Sequence, residues 1–132
     1  MINQNNTAED ILRDFHRDTK RWKSMLEYKE NEISFINRLL SSKAFKGTTP
    51  NLFERLEKFK DEGKNYDDKT KNLKKEISEY ANELKGFLEC DDISCDTFYF
   101  ENHEVLKNRF EEFYLEFNEY KTKVFNYTGG VL

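Results

Sequence analysis

Apolar side chains recur along this chain at alternating steps of three and four, the spacing that lines up one face of a helix. The first series is Leu12, Phe15, Thr19, Trp22, Leu26, Lys29, Ile33, Ile36 and Leu40, with two polar residues at heptad core positions. Thr7-Ala8-Glu9-Asp10 supplies an N-cap and an acidic first turn ahead of it, so a helix is predicted over about 8–42. Ser41, Ser42, Gly47, Thr48 and Thr49 have a loop composition, and Thr49-Pro50 offers a second N-cap with Pro in the first turn. The second seam, Leu52, Leu56, Phe59, Gly63, Tyr66, Thr70, Leu73, Ile77, Tyr80, Leu84 and Phe87, predicts one helix over about 50–89. A break near Gly63 would instead yield a four-helix bundle, but the register runs through it unbroken. After the polar stretch Asp91 to Thr97 and an apolar lead-in at Phe98-Tyr99-Phe100, the third seam is His103, Leu106, Phe110, Phe113, Phe117, Tyr120, Val124 and Tyr127. It predicts a helix over about 101–127, ended by Thr128-Gly129-Gly130.

Connections of seven to ten residues favour antiparallel neighbours, so the predicted fold is all-α: an up-down-up three-helix bundle of long coiled-coil-like helices in one domain, 1–132. Folding about symmetric loops brings Thr19 level with Thr70 and Tyr120, and Lys29 level with Gly63 and Tyr127. A third helix ending near 127 would stop short of the loop between the first two. That tip would then be a bare hairpin with an apolar surplus, and Phe35, Leu39, Phe45 and Phe53 become candidate contacts for a partner or a second copy. The alternative is a C-terminal segment or an extended third helix lying over the tip.

Composition narrows the classes. Mean hydropathy is −0.96, yet 12 Phe, 7 Tyr and 1 Trp supply more burial than a disordered chain carries. One Pro and five Gly leave little turn chemistry for sandwiches or barrels. Net charge is −4 with the two signs interspersed, so no basic footprint for nucleic acid is present. No window approaches the ~20 apolar residues of a membrane span, and no secretory leader is legible at Met1-Ile2-Asn3-Gln4-Asn5-Asn6, so a cytoplasmic protein is expected. Cys90 and Cys95 are spaced too widely for a redox C-x-x-C motif and are expected as two reduced side chains in a loop.

Candidate chemistry centres on two histidines. His16 flanks the first seam with Glu76, Glu79 and Glu112 expected near its level, a conceivable carboxylate-histidine metal site. His103 sits beside Glu101 and Glu104, expected level with Phe87 and satisfied by a backbone group or by Tyr99. The symmetric folding separates the two histidines by ~15 Å or more, too far to share a metal. No Glu-x-x-His pair, Gly-x-Ser-x-Gly elbow, Gly-rich phosphate loop or His-Glu-x-x-His is present.

At Asp14-Phe15-His16-Arg17-Asp18-Thr19-Lys20-Arg21-Trp22, Phe53-Glu54-Arg55-Leu56-Glu57-Lys58-Phe59 and Phe98-Tyr99-Phe100-Glu101-Asn102-His103, the chain resembles a group of small uncharacterised bacterial helical-bundle proteins, weakly hemerythrin-like in layout. The resemblance implies a fold rather than an activity. Thr19, Lys58 and Tyr80 stand where members of that group carry further histidines, so the metal-ligand set is incomplete. The expectation is a non-enzymatic bundle without a cofactor, working through association with a protein or with itself. The alternatives are a metal- or dioxygen-binding bundle using His16 or His103, and a carrier of apolar ligands.

Overall fold

The computed structural model describes residues 7–45, 47 and 49–131. Three helices form: α1 (Ala8–Leu40), α2 (Leu52–Glu83) and α3 (Ile93–Val131), with a 3₁₀ segment, Leu84–Glu89, continuing the line of α2. No strand occurs among the described residues, and none of these helices is long and apolar enough to cross a membrane. The fold is the expected all-α three-helix bundle, and α2 runs through Gly63 without a break.

Local chemistry explains the boundaries. Thr7 accepts from the Asp10 amide while the Asp10 carboxylate accepts from the Thr7 amide, a reciprocal capping box. The start of α2 differs from expectation: Thr49 and Pro50 stay in a turn, and Asn51 sits at φ 58°, ψ 21° as the residue before Leu52. Asparagine tolerates this left-handed conformation better than most side chains. α3 departs furthest. It begins eight residues earlier than predicted, because the Asp92 side chain accepts from the Cys95 amide and caps its first turn. It then runs through Gly129 and Gly130, since Thr128 continues the register of Tyr120 and Val124 into the core and returns its hydroxyl to the Val124 carbonyl.

The register between helices also differs from a symmetric hairpin. Phe15 meets Phe87 at 6.0 Å between ring centres, Glu30 pairs with Lys74 at 2.6 Å, and Asn37 lies against Gly63. Relative to the expected offset α1 has slipped along α2 by about three turns. The cause is the connection: Ser41, Ser42, Lys43 and Phe45 line one hollow with Leu52, Leu56 and Lys60, so the segment climbs beside the first turns of α2 before reversing. Thr19 therefore stands opposite the end of α2 near Glu83, while Thr70 stands opposite the stretch near Ile33. About 20 Å of bundle separates them at ~1.5 Å per residue. The expected Thr19–Thr70–Tyr120 layer does not form, and each threonine hydroxyl bonds a carbonyl of its own helix, His16 or Tyr66.

The long α3 also removes the bare tip. Phe125 packs edge-on against Phe35, Tyr127 lies 5.7 Å from the Phe59 ring and under Arg55, and Ile33, Ile36, Leu40, Leu52, Leu56 and Phe59 are buried.

Candidate functional site

A buried polar array in the core joins one residue from each helix. The shifted register carries His103, ten residues into α3, to the level of Phe15 to Trp22 on α1. Its ring stacks on Phe15 at 3.9 Å between centres, lies 5.0 Å from Trp22, and is 5% exposed. Both ring nitrogens are engaged: Nε2 lies 2.9 Å from the Asp18 carboxylate of α1, and Nδ1 lies 2.9 Å from the Tyr80 hydroxyl of α2. A carboxylate can only accept, so Nε2 carries the proton, and the bare Nδ1 accepts from Tyr80. Burial holds the His103 pKa below its usual value, outweighing the hydrogen bond and charge of Asp18. Burial likewise raises the Tyr80 pKa strongly, with Asp18 and Glu83 adding to it. At neutral pH both shifts favour an uncharged imidazole and a protonated phenol.

His103 is thus satisfied, as expected, but by Asp18 and Tyr80 rather than by Tyr99, whose hydroxyl donates to the Glu83 carbonyl. The expected separation of the two histidines is also corrected. His16 follows Phe15, whose ring touches His103, so both histidines lie near one level of the bundle. The glutamates expected beside His16 lie elsewhere along it: Glu76 pairs with Arg109 of α3, on the side of the bundle facing away from α1. Among the described residues no three His, Cys, Asp or Glu side chains gather into a group able to hold a metal ion.

A second polar cluster lies further along the α1–α3 face. Lys29 is 5% exposed, donates to Glu32 at 2.9 Å and to Asn118 at 3.2 Å, and sits 4.4 Å over the Tyr114 ring. Lys121 donates to the other Glu32 oxygen at 2.6 Å. Partial burial works to raise the Glu32 pKa, but the bonds from Lys121 and Lys29 prevail and hold it below the usual value. The lysine amine does not cross a gap at Gly63, as the symmetric register implied. That gap is occupied by Tyr120, whose hydroxyl donates to the Phe59 carbonyl at 2.7 Å.

The two cysteines, expected reduced, form a disulfide. The 3₁₀ segment and the Asp92-capped turn bring their Cα atoms to 5.5 Å, well inside bridging range, which sequence spacing alone does not reveal.

Of the candidate contact residues, Phe53 is 74% and Phe35 51% exposed, while Leu39 and Phe45 are half-buried. They fall on two flanks of the end of α1. Phe35 packs against Phe125 of α3, with Leu39 one turn further along α1, whereas Phe45 and Phe53 border a hollow of about 390 Å³ with Leu40, Leu52 and Leu56 at its walls.

No family model, curated protein or solved structure matches the chain.

Proposed function

We propose that the protein acts without catalysis, through association, and that its partner is a second copy bound at the α1–α2 end. The observation that carries this reading is the pairing of a protrusion with a hollow on one patch: Phe53, three-quarters exposed, stands beside the hollow walled by Leu40, Phe45, Leu52 and Leu56. A patch holding both a knob and its hole suits a two-fold contact, in which the Phe53 of each copy enters the hollow of the other. The rim carries Lys43, Lys60 and Glu57, so a two-fold arrangement can set lysine against glutamate across the seam. Exposed aromatic surface of this kind gains by leaving water, at about 25 cal/mol per Å².

Sedimentation velocity from low to high micromolar concentration tests the proposal. The wild-type chain is expected to shift toward twice its monomer mass, and Phe53→Glu to stay monomeric with unchanged urea stability, because that side chain contributes little to the fold. A wild-type chain that remains strictly monomeric at high micromolar concentration overturns it.

A further inference from the structure

The Tyr80 hydroxyl has one proton and two acceptors within reach. It lies 2.9 Å from His103 Nδ1 and 3.4 Å from the Tyr99 carbonyl oxygen. With His103 neutral, that proton points to Nδ1. Were the imidazole to take up a second proton, Nδ1–H would become a donor, and the phenol oxygen could accept from it while the phenol proton turns to the Tyr99 carbonyl. Nε2–H keeps the Asp18 carboxylate in both states. No buried donor is then stranded, the usual obstacle to charging a buried histidine.

We propose that the Asp18–His103–Tyr80 array is a proton-binding switch, in which charging of the imidazole reverses the Tyr80 hydrogen bond from His103 to the Tyr99 carbonyl. The surroundings are arranged for this. Asp18 faces the ring from α1, Tyr80 from α2, and Glu104 and Lys107 act on it from α3, so the groups acting on the ring favour the imidazolium except Lys107 and burial itself. The reversal also changes which elements the phenol ties together. In the neutral state Tyr80 is bonded to α3 at His103, in its third turn. In the charged state it would add a bond to Tyr99, one turn earlier, whose own hydroxyl already holds the Glu83 carbonyl. The proton would thereby re-route the hydrogen bonding at the junction between the end of α2 and the first turns of α3, where the Cys90–Cys95 disulfide lies.

Long-range proton–nitrogen correlation spectra of the full chain, with histidine labelled at both ring nitrogens and recorded from pH 8 to pH 4, test this. Replacement of His16 by Gln assigns the second set of signals. The expected result is an Nε2–H tautomer for His103 at pH 7.5 and conversion to imidazolium at a midpoint below that of free histidine, while the remaining spectrum stays dispersed. Tyr80→Phe removes the group that must accept from Nδ1–H, and is expected to lower that midpoint by a further unit or more, or to make charging coincide with unfolding. Asp18→Asn is the second variant and is expected to lower the midpoint with Tyr80 intact. An Nδ1–H tautomer at neutral pH, wild-type unfolding before His103 charges, or an unchanged midpoint in Tyr80→Phe or in Asp18→Asn overturns the proposal.

Discussion

At the scale of a single residue, Gly63 is decided by what stands opposite it. A β-carbon there would come within 2.8 Å of the Tyr120 hydroxyl and 3.2 Å of Asn37 Oδ1. Tyr120 cannot withdraw freely, because its ring is buried and its hydroxyl is bonded to the Phe59 carbonyl, an environment whose burial pushes its pKa up to about 12. In an open helix, Gly→Ala would stabilise by about 1 kcal/mol. Here the clash is expected to win, so Gly63→Ala should destabilise by about 1–2 kcal/mol through overpacking. Tyr120→Phe removes the atom in the way. In that background the same glycine substitution should turn neutral or stabilising, and urea denaturation of the four chains in a double-mutant cycle measures the reversal. Equal effects of Gly63→Ala in both backgrounds would show that Tyr120 does not control the site.

Between elements, the Lys29–Glu32–Lys121 cluster joins α1 to α3, and its members are not equivalent. Lys29 is almost fully buried, whereas about a third of the Glu32 side chain reaches solvent. Removing Glu32 leaves the Lys29 ammonium with only Asn118 and the Tyr114 ring as partners, so Glu32→Ala should cost about 1–2 kcal/mol, the buried-pair value discounted for that exposure. Lys29→Met removes the buried charge together with the need to solvate it, and should cost less than ~1 kcal/mol or stabilise. Urea midpoints at neutral pH rank the two, and a larger loss from Lys29→Met would contradict the assignment of the charge. The element scale is also where sequence reading succeeded and failed most plainly. Every helix was legible, because seams such as Leu26, Ile33, Leu40 and Phe110, Phe117, Val124 carry their own period. The ends of α3 were not. Thr128-Gly129-Gly130 carries the residues of a helix stop, and only the core position waiting for Thr128 overrides it.

Across the whole molecule, register was the illegible quantity, and most of the site depends on it. A seam states which face is buried and leaves its height against a neighbour open, since residues three and four apart repeat the same pattern. The connection climbing past Leu52 and Leu56 sets that height, and nothing in its composition distinguishes it from a symmetric reversal. The three-turn slip of α1 along α2 dissolved the Thr19–Thr70 layer, and a further shift of about two turns between α2 and α3 brings Tyr80 rather than Phe87 level with His103, so neither Asp18 nor Tyr80 could be read as its partner from the chain alone. The resulting array makes the stability of the entire bundle depend on pH, with a definite sign. The folded-state pKa of His103 lies below its usual 6.5, so between those two values the unfolded chain binds more protons than the folded one. Stability is therefore full above about pH 6.5 and falls as the pH drops toward the folded value, with a slope of at most ~1.4 kcal/mol per pH unit for one proton. Glu32 acts lower down: its pKa is depressed from 4.5, so its contribution is present above that value and is lost as the pH falls through the lowered one. Two windows of acid loss should follow, one beginning near pH 6.5 and one below 4.5. His103→Gln, which retains an amide donor for Asp18 and takes up no proton, should abolish the first and leave the second, as read from urea midpoints taken every half unit at constant m-value. A first window that survives in that variant would place its proton on some other group.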